Sequence, residues 1–125
     1  MMICAGDFKQ EILRIYNAIN KKMFNAGVKQ QKVDFVGNKI IILSKNARVP
    51  VLKVLDESHR QATLQLDHLL FQLLKQEIKE ELRKQFQLNT VTVLKDYDTE
   101  TELSGTIIVL ERDVEDYLNE LPELR

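Results

Sequence analysis

Four carboxylates stand at alternate positions within the stretch VLKDYDTETELSG, and they are Asp96, Asp98, Glu100 and Glu102. Carboxylate oxygens are the ligands that Ca²⁺ and Mg²⁺ prefer, so this spacing could bind a cation. A calcium-binding EF-hand loop starting at Asp96 would need glycine at its sixth position and glutamate at its twelfth. The sequence has Thr101 and Ile107 there. The stretch is instead typical of a solvated hairpin turn. If the strand continues to Asp98, Asp96 and Asp98 share a face and could hold Mg²⁺ or a partner's lysine.

The histidines and the cysteine give no catalytic signature. His59 and His68 are nine residues apart, which on a helix places them on opposite sides, so one chain cannot use both for a metal. His59 follows Asp56 and could form a proton-transfer pair, but no nucleophile or substrate clamp accompanies it. The single cysteine, Cys4, excludes an internal disulfide and a multi-cysteine metal site. We therefore predict a non-enzymatic protein without a metal, with a hydrolase-type activity as the alternative.

Basic residues cluster around the loop SKNARVP and form the candidate ligand or partner site, namely Lys45, Arg48, Lys53, His59 and Arg60, together with acidic Asp96 and Asp98. The chain has only four glycines, and none forms the Gly-x-x-Gly loop of RNA-binding KH domains. A phosphate-binding P-loop and a dinucleotide fingerprint are absent for the same reason. We expect no cofactor and no nucleic-acid partner.

Charge is distributed unevenly along the chain. Residues 1–95 contain 16 Lys and Arg against 9 Asp and Glu, whereas residues 96–125 contain 2 against 10. One interpretation is a basic face for an acidic partner or a phosphate. The other is that the acidic C-terminal part folds back beside the basic part.

Hydrophobic periodicity predicts the elements on either side of these residues. A helix over 7–26 is expected, with Asp7 and Gln10 as a capping box and Gly27 as its stop. Gly37-Asn38 suits a tight hairpin between two strands. The second of these strands, Ile40 to Leu43, is apolar on both faces, which is typical of a central strand and of one covered on both sides.

The second half of the chain predicts two more strands, NTVTVLKDY and SGTIIVLE, and a short helix, DVEDYLNEL, capped by Asp113 and stopped by Pro122. The order α-β-β-α-β-β-α predicts an α+β fold in which a mostly antiparallel four-stranded sheet packs against a long helix and an N-terminal helix. We predict one domain over residues 1–125, with residues 1–6 mobile and residues 113–125 forming the short C-terminal helix and tail.

Residues 51–86 contain no glycine or proline, and a single helix over them would be ~54 Å long. A globule of this size is only ~35 Å across. Two possibilities follow, and they are not exclusive. The helix breaks near Ser58, where Ser58 and Gln61 have capping-box spacing, or it extends beyond the domain and packs its leucines on a second chain. The residues predicted for such a homodimer interface are Leu66, Leu69, Leu70, Leu73, Leu74 and Ile78.

The N-terminal stretch MMICAGDFKQE lacks the features of a signal peptide, and no run approaches the ~20 apolar residues of a membrane span. We expect a soluble cytoplasmic protein. The single cysteine suits a reducing compartment.

Several segments of the chain resemble a family of small bacterial proteins, labelled the C component of a sodium-translocating, membrane-potential-generating system. The resemblance covers residues 8–111 and rests on NAGVKQQKVDF, NKIIILS, the long charged helix and the closing hairpin LKDYDTETELSGTIIVLE. Family members often start the long helix with Leu-Thr-x-x-Glu and carry a glycine-arginine step within it, whereas this chain has ARVPVLKVLDESHR.

The resemblance implies an accessory protein of a membrane ion or inorganic-carbon transport system, and it supplies no catalytic residues. Two hypotheses follow. The first is a non-enzymatic interaction protein, a homodimer that docks on a membrane-bound partner. The second is a regulatory domain that binds a small anion or a metal through the basic loop 45–60.

Overall fold

The structure, a computed structural model, describes residues 4–121. Its elements are α1 (Ala5–Phe24), β1 (Gln30–Val36), β2 (Lys39–Lys45), α2 (Pro50–Ser58), α3 (Arg60–Phe86), β3 (Thr90–Tyr97), β4 (Leu103–Leu110) and α4 (Val114–Glu120). The predicted α+β class is confirmed. The predicted order is confirmed as well, except that the long helix is two helices.

The four strands form one antiparallel sheet in the order β1-β2-β4-β3. β2 and β4 are therefore the central strands, and the two hairpins meet along them. The predicted turn at Gly37-Asn38 joins β1 to β2, and Gly37 has a φ of +60°, which favours glycine. The central position predicted for the Ile40–Leu43 strand is confirmed.

Helix α1 begins earlier than the sequence predicted, because residues 5 and 6 are already helical. Cys4 is the N-cap residue, and its Sγ accepts a hydrogen bond from the backbone N–H of Asp7 at 3.4 Å. Asp7 lies within the first turn, so the predicted capping box is wrong. At the other end Asn25 adopts the left-handed conformation, with φ 55°, and ends the helix before Gly27. Asparagine tolerates that conformation better than most residues do.

The predicted helix over residues 51–86 is broken at His59. Its backbone angles, φ −138° and ψ 50°, are not helical, so α2 ends at Ser58 and α3 begins at Arg60. The first of the two predicted alternatives is therefore correct. The predicted Ser58 and Gln61 capping is not formed. The Ser58 hydroxyl instead lies 2.8 Å from His59 Nδ1, and no side chain caps α3.

Leucines spaced four residues apart on α3 do not share one face. Four residues span about 400° of an α-helix, so such a series turns by about 40° at each step. Leu74 and Ile78, which the sequence also placed at a chain–chain interface, point into the core of this chain instead. The other predicted interface residues are exposed or half-buried, namely Leu66, Leu69, Leu70 and Leu73.

Helices α1 and α3 pack on one face of the sheet, and alternate strand residues enter the core between them. Ile40 and Ile42 of β2 and Ile108 of β4 belong to this core. No element of residues 4–121 covers the opposite face, where Leu43 is 53% exposed and Ile41 is half-buried. The prediction that β2 is covered on both sides is therefore wrong. A single-sided core is common in antiparallel sheets.

The two ends of the predicted domain are described in part. Residues 1–3 and 122–125 lie outside the described residues, so part of the predicted mobile segment and the predicted stop at Pro122 cannot be placed. Asp113 is the N-cap of α4, as predicted, although its side chain makes no capping hydrogen bond. The helix ends at Glu120, and Leu121 is its C-cap.

Candidate functional site

The loop between β2 and α2 carries a buried ion cluster centred on Arg48. Its Nε and Nη2 donate to the Asp56 carboxylate, each at 2.9 Å. Its Nη1 and Nη2 donate to the Asp67 carboxylate at 2.8 and 3.0 Å. Arg60 Nη1 pairs with the same two carboxylates at 3.0 and 3.4 Å. We call Arg48, Asp56, Arg60 and Asp67 the Arg48 cluster, and its formal charge is zero.

Burial makes the Arg48 cluster structural. The Arg48 side chain is only 7% exposed, and burial of a guanidinium is tolerated only when carboxylates pair with it. The Arg48 hydrogen bond, with further support from Thr63 and the charges of Arg48 and Arg60, outweighs desolvation and lowers the Asp56 pKa to about 2. Although burial opposes it, the two carboxylates raise the Arg48 pKa. The cluster thus joins the loop to α2 and α3.

The acidic stretch that could have held a cation forms a hairpin turn, as predicted. The Asp98 carboxylate accepts hydrogen bonds from the backbone N–H groups of Glu100 and Thr101, at 2.8 and 3.2 Å. Glu102 has a φ of 60°, and its carboxylate accepts the backbone N–H of Arg48. Asp96 lies on β3, and its side chain is exposed. Over residues 4–121 no group of three His, Cys, Asp or Glu side chains is placed to hold a metal.

The remaining candidate residues are dispersed. Lys45 ends β2 and Lys53 lies on α2, and both side chains are exposed. His59 separates α2 from α3, and His68 is on the exposed side of α3, near Gln72. Among the predicted residues, then, only Arg48 and Arg60 come together, and carboxylates neutralise both.

A second polar group, not predicted from the sequence, surrounds Lys95 on the inner face of β3. Its ammonium donates to the Tyr16 hydroxyl at 2.8 Å, to Thr106 Oγ1 at 3.1 Å and to Ser104 Oγ. The same ammonium lies 5.7 Å from the centre of the Phe71 ring. No carboxylate of residues 4–121 forms an ion pair with Lys95.

Hydrogen bonds continue from Tyr16 towards the loop. The Tyr16 hydroxyl and Ser44 Oγ are 3.3 Å apart, and Ser44 donates to the Asn46 amide oxygen at 2.7 Å. The Asn46 amide nitrogen donates to the Asn20 amide oxygen at 3.1 Å. The Asn20 amide nitrogen donates to the Tyr16 carbonyl at 2.8 Å. Because Tyr16, Ser44 and Asn20 are each 1% exposed, this polar network lies inside the protein.

A cavity of about 50 Å³ lies between this network and the Arg48 cluster. It is bounded by the end of α1, the loop before α2, the N-terminal half of α3, and β3 and β4. Lys95, Asn20, Asn46 and Ser104 provide polar groups to its wall, while Leu52 and Phe71 are among its apolar residues. This cavity is the candidate functional site.

Lys95 alters the acidity of the phenol next to it. Burial opposes ionisation of Tyr16, but the charge and hydrogen bond of Lys95, together with the neighbouring Ser44 and Ser104 hydroxyls, lower its pKa to about 8. Tyr97 lies in the same wall without such a partner. Burial, then the charge of Glu102, raises the pKa of Tyr97 to about 12, although the charge of Arg48 opposes this.

We expect one phenol of the folded protein to ionise near pH 8, and the Tyr16→Phe variant to lose that step. Phenolate absorbance in the near-ultraviolet, followed against pH, measures it. The pKa of Tyr16 is about 8 in the folded protein and near 10 in the unfolded chain. Ionisation of Tyr16 therefore raises the free energy of unfolding as pH rises from about 8 to about 10, on the order of 2 kcal/mol. A titration in which no phenol ionises below about pH 9 would contradict the Lys95–Tyr16 contact.

The uneven charge distribution is not resolved by ion pairing. Over residues 4–121 every ion pair joins residues within 4–95 or within 96–121, and none links the two parts. The acidic part nevertheless folds back beside the basic part, because β4 pairs with both β2 and β3. Glu102 adds two further contacts by accepting the backbone N–H groups of Asn46 and Arg48.

The sequence contained signals for the residues it did not predict. Val93 is buried, so the two-residue period of a strand turns Lys95 to the same inner face. On α1, Tyr16 and Asn20 continue the buried positions of Ile12 at four-residue spacing. Polar residues at inward positions must find partners, and this rule would have identified the network.

The sequence matches, over residues 5–112, the family described as Na⁺-translocating membrane potential-generating system (MpsC). The chain belongs to the MpsC family. The resemblance noted from the sequence is thereby confirmed, and the matched span contains both the Arg48 cluster and Lys95. No curated protein and no solved structure matches the chain. In the described part of this MpsC-family chain, no helix is both long and apolar enough to span a membrane.

Proposed function

We propose that this MpsC-family chain is a non-enzymatic accessory protein of a membrane ion or inorganic-carbon transport system. It acts in the cytoplasm as a homodimer that docks on a membrane-bound partner. The observation that carries this proposal is the uncovered apolar face of the sheet. An exposed apolar surface of this kind marks an interaction site in soluble proteins.

On the outer face of the sheet, exposed and half-buried apolar residues lie next to one another on neighbouring strands. Leu43, Leu94 and Leu103 are each about half exposed there, and the half-buried Ile41 and Ile107 lie between them. Ile41 of β2 pairs with Ile107 of β4, which in turn pairs with Leu94 of β3, so the apolar residues form a continuous row. Neither α1 nor α3 packs on this side. A second protein surface would bury it favourably.

The strand register makes this face complementary to a second copy of itself. Leu43 pairs with Gly105 across the two central strands. A twofold axis running along the boundary between β2 and β4 therefore places each Leu43 over the Gly105 of the other chain. No atom lies within 4 Å of the position that a Gly105 Cβ would occupy, so the space above it is open. Two sheets packed about 10 Å apart would fill that space with leucine.

The same axis brings opposite charges together. Lys32 on β1 pairs with Leu43, and Asp96 on β3 pairs with Gly105, so both charges lie in the row of the Leu43–Gly105 pair. Each Lys32 would face the Asp96 of the other chain. Such isologous matching is what a twofold homodimer requires.

The leucines of α3 remain available for the membrane-bound partner. Leu66, Leu69 and Leu73 recur at spacings of three and four residues and are 40–60% exposed. This spacing forms one apolar stripe on the helix, separate from the outer sheet face. We assign the sheet face to self-association and this stripe to docking, which differs from the interface predicted from sequence.

Light scattering behind size exclusion, at about 0.1 M and 1 M NaCl, tests the homodimer. We expect twice the chain mass of 14.6 kDa at both salt concentrations, because the interface is mainly apolar. Gly105→Leu should yield a monomer that remains folded, since its side chain occupies the space for Leu43 without a clash inside the chain. Leu69→Glu on α3 is the matched control and should remain dimeric.

Two outcomes would contradict the assignment. A wild-type protein that remains monomeric at concentrations well above those in cells would refute the homodimer. A dimer that persists in Gly105→Leu but is lost in Leu69→Glu moves the interface to α3. Charge reversal adds a further check, because Asp96→Lys should weaken the dimer and Lys32→Asp in the same chain should restore it.

A further inference from the structure

We infer that the cavity beside Lys95 binds a small monovalent oxyanion of about three to five non-hydrogen atoms, such as a short-chain carboxylate. The ligand neutralises the Lys95 ammonium and is held by neighbouring amide groups. This inference goes beyond the proposed function and does not depend on the homodimer. It also places an anion at a different residue from the basic loop singled out in the sequence.

Below about pH 8, where Tyr16 is still a neutral phenol, the charge of Lys95 has no counter-charge in the described part of the chain. Three hydroxyl oxygens accept its hydrogens, but hydroxyl groups provide dipoles rather than a negative charge. The Arg48 cluster on the other side of the cavity is neutral in sum. Glu102 is bound by the Arg48 backbone N–H and does not line the cavity. Lys95 is half-buried, so water screens its charge less than it would at the open surface, and an anion that enters the cavity is attracted to it.

The cavity wall also contains hydrogen-bond donors, in addition to the charge of Lys95. The side-chain amides of Asn20 and Asn46 each carry two N–H groups, and among residues 4–121 each uses one of them. The free N–H group of each amide can donate to an oxyanion oxygen. Asp67, the carboxylate in the wall, is held by Arg48 and Arg60 and does not compete for Lys95.

The size of the cavity limits the ligand. A space of about 50 Å³ holds roughly three to five water-sized groups, at about 10–15 Å³ each. A nucleotide or a sugar phosphate would not fit wholly within this space. The wall also contains Leu52, Phe71 and Phe24, which disfavour a second negative charge and favour a short apolar tail. A monocarboxylate therefore fits better than a phosphate dianion.

Thermal unfolding of the full chain at constant ionic strength tests the inference with formate, acetate, propionate, nitrate, hydrogencarbonate, chloride and phosphate as probes. We expect a saturable rise in Tm of about 3–5 °C, at ten times the Kd, for one or more of the small oxyanions and none for phosphate. Lys95→Gln should abolish the rise. Lys53→Gln, which removes an exposed lysine of α2, is the matched control and should retain it.

An equal rise in wild type and Lys95→Gln would overturn the inference, because it would indicate a general salt effect. The absence of any saturable rise would overturn it too. If Lys95→Gln does not fold, backbone amide chemical shifts of the wild-type protein decide. The oxyanion should shift the amides of Gly27, Asn46 and Val49 around the cavity and leave that of Val36, at the opposite end of the sheet, unchanged. Shifts located elsewhere, or none, would refute the site.

Discussion

Replacing Arg48 with methionine is expected to lower the free energy of unfolding by about 3 kcal/mol. The change leaves Asp56 and Asp67 buried without their main partner, and breaking a buried ion pair from one side typically costs about 3–5 kcal/mol. We expect the lower end of this range, because Arg60 still contacts both carboxylates. Chemical denaturation at neutral pH measures the loss. Arg14→Met, which removes the exposed ion pair with Glu11, is the control and should change stability by less than about 1 kcal/mol.

Two further variants separate the charge from the shape of the Arg48 cluster. Adding Asp56→Asn and Asp67→Asn to Arg48→Met removes the unpaired charges and should recover part of the stability. In acid the direction is also fixed. The depressed pKa of Asp56 adds stability at pH above about 4 and loses it as pH falls towards about 2. Arg48→Met should reduce that dependence, with Arg60 and Thr63 retaining part of it. A loss below about 1 kcal/mol for Arg48→Met would show that the ion cluster does not form in solution.

Replacing Leu74 with alanine is expected to cost about 2–5 kcal/mol, whereas the same change at Leu69 should cost less than about 0.5 kcal/mol. Leu74 is fully buried between α3 and the sheet, and Leu69 is 60% exposed on the same helix. Leucine and alanine have similar helix propensities, so the pair isolates burial from helix formation. Equilibrium unfolding of both variants provides the comparison.

The two leucines also distinguish the core from the docking surface. Leu69→Ala should leave the fold intact and weaken only contacts with another protein, while Leu74→Ala should destabilise the chain whether or not a partner is present. Equal losses at the two positions would mean that α3 is rotated about its axis relative to the structure described here.

The elements could be predicted from the sequence because their apolar residues repeat with clear periods. The four strands and the central position of β2 follow from turn residues and hydrophobic spacing. The interruption near Ser58 was one of two alternatives that the length of residues 51–86 left open. The face of α3 that is buried did not follow. A four-residue repeat drifts around the helix, so sequence spacing alone cannot say where the sheet contacts it.

The candidate site was less predictable than the fold. Arg48 stood among basic residues that looked available for an anion, yet Asp56 and Asp67 neutralise it. These carboxylates come from two helices whose relative placement depends on the break at His59, which local sequence locates only approximately. Lys95 looked like an ordinary charged strand residue. Its role follows only when the inward face of β3 and that of α1 are brought together.

Helix α2 buries a single residue, Leu52, and is otherwise attached through the Arg48 cluster. The remaining elements are attached mainly by apolar packing. Local stability in this chain is therefore of two kinds. We therefore expect residues 50–59 to open locally before the core does when their ionic attachment weakens. Acid protonates the carboxylates of that attachment and leaves hydrocarbon packing unaffected. Because Leu52 belongs to the cavity wall, the local stability of this segment also bears on the shape of the cavity.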